Sequence, residues 1–172
     1  GGGMILRAFC LAMTVFATSA KACELALVLA VDVSGSVDRE EYSIQMTGLA
    51  AALRDGVVVE ALMEQEAMVT LIQWTGASRQ RQTLPWVAMR SATDVLDFAD
   101  RIETDPRIWR NYSTAIGEAL IAAETALADV SHCRRKVIDV SGDGVSNEGV
   151  HPTLRHAGLK SIGVIVNALA IE

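Results

Sequence analysis

Ten residues near the start of the chain, ELALVLAVDV from Glu24 to Val33, form a short and nearly continuous apolar run. A run of this length without polar alternation reads as a strand buried on both faces, the kind found inside a parallel sheet. After Asp38, a plausible helix cap followed by Glu40 and Glu41, the positions Tyr42, Met46, Leu49, Ala50 and Leu53 recur at helical spacing as far as Gly56. Strand followed by helix is then repeated along the chain. Val57 to Met63 is expected as a short second helix and Ala67 to Thr75 as a second strand. Gln80 to Val87 is expected to return beside that strand, with Pro85 confining it to an edge. Ser91 to Glu103 and Thr114 to Ala128 carry amphipathic helical patterns and are separated by a polar loop from Asp105 to Ser113. Lys136 to Val140 and Ser161 to Ile171 complete the strands, with a short helix from about Pro152 to Gly158 between them. The alternation predicts an α/β fold: an open, mostly parallel, doubly wound sheet with helices on both faces.

With 172 residues the chain accommodates one domain at about 150 residues per domain. Its hydrophobic fraction of 51% lies slightly above that of ordinary soluble domains, and much of the excess sits at the start. Met4 to Ala22 has Arg7, an apolar run from Ala8 to Ala17, and small residues at Ala20 and Ala22, the layout of a secretory signal peptide cleaved before Cys23. Gly1 to Gly3 precede a credible start methionine and read as a cloning scar or a mis-assigned start. The expected organisation is therefore a leader over residues 1–22 and one domain over 23–172, in a protein exported to the periplasm or secreted. Contact with a membrane is expected only through an uncleaved leader or a lipid on Cys23, for which Ala20 and Lys21 are a poor signal. Removing the leader leaves 13 basic against 21 acidic residues and a net charge of −8. The acids are scattered, which argues against a nucleic-acid partner. The remaining cysteines, Cys23 and Cys133, form an even pair, for which a disulfide is the default in an exported chain.

Ligands of open parallel sheets bind beyond the carboxyl ends of the strands, and three polar clusters fall at that edge or on loops that reach it. Asp32-x-Ser34-x-Ser36 follows the first strand directly. Thr114 begins a helix, where its hydroxyl is expected to point outward. Asp143 follows the strand that starts near Lys136. Two carboxylates and three hydroxyls suit a hard divalent cation that prefers oxygen and keeps several waters. Because the hydroxyls are neutral, the ion keeps net positive character and a carboxylate from outside can complete its shell. That chemistry serves recognition rather than turnover. Taken singly, each of the five residues could do no more than cap a turn or a helix.

The segments Asp32-Val33-Ser34-Gly35-Ser36, Ser113-Thr114-Ala115-Ile116-Gly117-Glu118-Ala119-Leu120 and Ser141-Gly142-Asp143-Gly144 resemble the metal-ion-dependent adhesion site of von Willebrand factor A domains. LALVLAVDVSGSVDREE and RRKVIDVSGDGVSNEG further resemble an exported bacterial branch of that superfamily whose function is uncharacterised. The similarity extends over residues 23 to 172. It implies that Asp32, Ser34, Ser36, Thr114 and Asp143 surround one Mg²⁺, Mn²⁺ or Ca²⁺ ion, Mg²⁺ being favoured, with part of the shell acting through water. It also implies a six-stranded sheet with the first strand central and the strand leading to Asp143 beside it. Against that pattern a final strand and helix are missing after Glu172, so the chain reads as a C-terminally truncated domain. With the two strands as parallel neighbours, Cys23 and Cys133 both fall at the opposite, amino end of the sheet, where a bridge becomes plausible.

The resemblance implies a non-catalytic module that recognises a protein partner presenting Asp or Glu. The main rival is a haloacid-dehalogenase-like, Mg²⁺-dependent phosphohydrolase, to whose motifs Asp32 and Gly142-Asp143-Gly144-Val145 are similar. That chemistry needs an acid–base aspartate two positions after the nucleophile, where this chain has Ser34. A metal-independent scaffold is a further alternative. No Gly-x-Ser-x-Gly elbow supports a serine hydrolase, and no Gly-x-Gly-x-x-Gly follows the first strand. Trp74, Trp86 and Trp109 could rim a recognition surface or simply pack. Arg79, Arg81, Arg107 and Arg110 flank loops, where steering of an acidic partner and ordinary solvation explain them equally well.

Overall fold

The computed structural model describes residues 22–142 and 152–170. The leader, residues 1–21 of it, therefore lies outside the described residues. The elements run β1 (Leu25–Asp32), α1 (Arg39–Arg54), α2 (Gly56–Glu64), β2 (Met68–Trp74), β3 (Gln80–Ala88), α3 (Ala92–Thr104), α4 (Ile116–Ala128), β4 (Arg135–Gly142), α5 (Pro152–Ser161) and β5 (Val164–Ala170). Among the described residues they form one five-stranded sheet of order β3-β2-β1-β4-β5. All pairings are parallel except β2 with β3, which is antiparallel. The expected mostly parallel sheet is thus present, with β1 at its centre and β4 beside it.

The lack of alternation in β1 follows from its two buried faces. Ala26, Val28 and Ala30 join one core with Ala119, Ala123 and Leu127 of α4 and Leu159 of α5. Leu25, Leu29 and Val31 join the other, with Met46, Ala50 and Leu53 of α1 and Val95, Phe98 and Ile102 of α3. Each buried Leu, Val or Ile side chain contributes about 1.5–3 kcal/mol, and burial on both faces is why a period-2 pattern is absent from β1.

Local signals start the helices. Asp38 and Glu41 form a reciprocal capping box on α1, and Ser91 and Asp94 form another on α3. Gly56 does not break the chain but opens α2. Asp55 ends α1 and its carboxylate accepts the Val57 and Val58 amides at 2.9 and 3.3 Å, so the next helix begins at once. At the amino edge of the sheet a disulfide joins Cys23 to Cys133, with Cα atoms 4.6 Å apart.

Candidate metal centre

Asp32 is the last residue of β1 and is fully buried, in register with Trp74 of β2. Its Oδ1 accepts the Ser34 amide at 2.8 Å, the Asx turn that the Asp-x-Ser spacing permits. The Ser34 carbonyl then accepts the Val37 amide at 3.1 Å, which turns the chain towards α1. Ser34 is buried and Ser36 exposed, and their hydroxyls lie 3.0 Å apart. On the other side of Asp32 is Gly142, one residue beyond the Val31–Ser141 register pair. A Cβ at Gly142 would stand 2.7 Å from Asp32 Oδ2 and 3.0 Å from its Cβ, so the carboxylate occupies space that any other residue would fill.

Thr114 reaches the same edge by a different route. The Thr75 carbonyl, one residue beyond β2, accepts the Ala115 amide at 2.9 Å, and the Thr75 hydroxyl donates to the Ser113 carbonyl at 2.7 Å. The Gly35 amide donates to the Tyr112 carbonyl at 2.8 Å, clamping the Asp-x-Ser-x-Ser loop to the segment that leads to Thr114. Gly35 is needed there, since a side chain would press on the Asn111 and Tyr112 backbone at 3.1 and 3.2 Å. The helix expected from Thr114 starts instead at Ile116, and Thr114, 3% exposed, lies just before it. Asp143 lies outside the described residues.

Three long polar side chains, none singled out from the sequence as part of this centre, hold it in shape. Gln45 of α1 is buried, donates to the Asp32 carbonyl at 3.1 Å and accepts the Ser141 hydroxyl, joining the ends of β1 and β4. Gln73 is fully buried in β2, donates to the Asp105 carboxylate and Pro106 carbonyl, both at 2.9 Å, and accepts the Ile108 amide at 3.0 Å. Asp105 also accepts the Thr83 hydroxyl at 2.6 Å. Arg107 reaches back to the Val33 and Ser34 carbonyls at 2.9 and 2.8 Å, while its Nε donates to the Trp109 carbonyl at 2.9 Å. Burial, and then the neighbouring Arg110, hold Arg107 below its ordinary pKa, and the Asp32 charge works in the opposite direction. Burial, with the Asp105 charge, pushes the Tyr42 hydroxyl well above its usual range, so it stays protonated and donates to the Asp105 carbonyl at 2.7 Å. The sequence did carry a signal for two of these residues: Gln45 lies on the apolar stripe of its helix, and Gln73 interrupts an apolar strand.

A buried carboxylate is costly unless counter-charge or hydrogen bonds compensate it. The donor set around Asp32 is all oxygen, with one carboxylate and neutral hydroxyls, and Gly142 leaves the carboxylate room that a side chain would take. Those residues fit a hard divalent cation.

Solved structures share this architecture. Over 88% of the chain, proximal thread matrix protein 1 from the mussel byssus superposes with a TM-score of 0.68 at 19% identity, and one structure of that protein has a zinc-occupied MIDAS motif. The conserved hypothetical protein BatB from Bacteroides thetaiotaomicron gives 0.64 at 20% identity over 85% of the chain and 66% of its own. The pilus adhesin SpaC from Lactobacillus rhamnosus GG gives 0.62 at 15% identity over 85% of the chain and 24% of its own. The chain spans 39% of the mussel protein, and at these identities the likeness shows the fold, which is that of von Willebrand factor A domains. No curated protein sequence matches the chain significantly. Residues 22–172 match the family described as "Protein of unknown function (DUF1194)", and the chain belongs to that family.

Proposed function

We propose that the chain is an exported, metal-dependent protein-binding module of the adhesion type, with a leader over residues 1–22 and a binding domain over 23–172. The carrying observation is the buried Asp32 carboxylate, turned over Gly142 and followed by two hydroxyls 3.0 Å apart. Asp32, Ser34 and Ser36 would hold a divalent cation, Mg²⁺ first, with Thr114 and Asp143 completing the set. When bound, the ion supplies a positive centre to which a Glu or Asp carboxylate of a partner protein can bond. The chain's own residues do the positioning. Gln45 fixes the end of β1, Arg107 fixes the loop carbonyls, and exposed Ser36 marks the side from which a partner enters.

Binding without catalysis is supported by Ser34, which stands where a phosphohydrolase needs its acid–base aspartate. Export is supported by the disulfide, a bond of oxidising compartments, and by the leader-like start of the sequence. No helix among the described residues is long and apolar enough to cross a membrane.

The test is calorimetric titration of Mg²⁺, Mn²⁺ and Ca²⁺ into chelator-treated protein and its Asp32→Ala variant, with a phosphatase assay on both. One saturable site lost in the variant is expected, together with a gain of about 2.7 kcal/mol in unfolding free energy at a hundredfold excess of Mg²⁺ over Kd. Turnover of a phosphate ester that depends on Asp32 would replace this reading with the hydrolase.

A further inference from the structure

Beside the Asp-x-Ser-x-Ser loop lies a cavity of about 490 Å³, walled by Gly35 and Val37 of the loop, by Arg39 and Tyr42 of α1, and by Arg107 and Arg110. Its three arginines belong to a chain of net charge −6. Three arginines outside the cavity are paired with carboxylates: Arg54 with Asp100 and Glu103, Arg134 with Glu24, and Arg155 with Glu124. Among the described residues none of the cavity's arginines forms an ion pair. Arg107 points its donors at main-chain carbonyls, including that of Asp38 at 3.3 Å, and forms no ion pair, although the Asp32 and Asp38 charges act on it from nearby. Asp38 also lines the cavity, its carboxylate accepting the Glu41 amide at 2.8 Å within the capping box, so the wall carries three cations against one carboxylate. Arg39 occupies the first position of α1, where the helix dipole disfavours a cation and adds its own positive potential to the arginine's. Arg79, stacked 3.8 Å over the Tyr112 ring, carries the basic surface around the loop. On an acidic protein such a local positive field orients and admits an acidic ligand while the remaining surface repels it.

We infer that this cavity is a second subsite for the partner, taking an acidic side chain that neighbours in sequence the carboxylate bound at the metal centre. The partner is thus a protein segment with paired acidic residues, whose apolar portion lies on the half-buried Tyr42 ring. The inference rests on the metal-dependent reading of the adjoining centre. Arg107 braces the loop, whereas Arg39 and Arg110 are exposed and free of that task, so they are the residues that select the ligand.

A library of short random peptides, panned in Mg²⁺ over the wild-type chain, over Arg39→Gln/Arg110→Gln and over Arg39→Lys/Arg110→Lys, tests the assignment, with thermal unfolding confirming that each variant is folded. The wild type should recover peptides with two nearby acids, and the glutamine variant should bind those peptides about tenfold or more weakly, with binding restored by lysine. Equal affinity for the glutamine variant, no acidic bias, no recovery above a blank surface, or stronger competition by an acidic oligosaccharide would each overturn it. Repeating the selection in chelator separates the two readings. Arginine-dependent acidic bias with peptide affinity unchanged by chelator keeps the subsite and removes the metal's part in binding. Calorimetric Mg²⁺ binding with no arginine effect keeps the metal centre and removes the subsite.

Discussion

The two ends of the central strand are secured by different chemistry. At the amino edge, Cys23 is bonded covalently to Cys133, the Arg134 and Arg135 amides donate to the Cys23 and Glu24 carbonyls at 3.0 Å, and Glu24 pairs with Arg134. At the carboxyl edge the loops are held by side chains that reach from neighbouring elements: Gln45, Gln73, Asp105 and Arg107. One edge is closed by bonds with a single arrangement. The other is tied by side-chain hydrogen bonds, and it is the edge at which we propose that a ligand binds. On that proposal one sheet separates stability from recognition by placing each at its own end.

The sharpest way to break that division is at the amino edge. Replacing Cys23 and Cys133 by Ala should lower unfolding free energy by about 2–5 kcal/mol in urea titrations, since the bridge closes a loop of 110 residues. Affinity of the folded variant for Mg²⁺ should be unchanged, because the eight-residue β1 sets the two edges roughly 26 Å apart. Gly142→Ala tests the other end. The added methyl must displace the Asp32 carboxylate, so Mg²⁺ affinity measured by calorimetry should fall about tenfold or more while stability drops by about 1–3 kcal/mol. Gln73→Ala removes the partner of the Ile108 amide and one donor to Asp105, and should destabilise by about 1–3 kcal/mol, with faster amide hydrogen exchange across residues 105–110. Arg54→Ala should have the least effect. Its pairs with Asp100 and Glu103 lie at the surface, and its thermal midpoint should match wild type in moderate salt, where such pairs are screened.

These edges also differ in how far the sequence reveals them. The strands are legible because burial on two faces removes polar residues, and the helices because their stripes and caps are local. The Asp-x-Ser-x-Ser turn is legible for the same reason, since its hydrogen bond spans two residues. The bracing network is not. Gln73 and Asp105 are 32 residues apart, and Arg107 reaches a loop more than 70 residues away, so their roles exist only once the sheet has assembled. Thr114 shows a smaller version of this. Its position near a helix start is readable, but its burial and the neighbouring Gly35–Tyr112 clamp are encoded by no local pattern.

Pro85 in β3 bears on a different property, the way copies of the molecule can associate. β3 is the outer strand next to β2, its pairing with β2 shifts register around Leu84, and Pro85 supplies no amide hydrogen to a neighbour on either side. A row of bonding groups interrupted in this manner is a poor template for adding a foreign strand, the step by which sheet proteins polymerise into fibrils or are captured by β-augmentation. At high local concentration β3 is thereby shielded from self-templated growth.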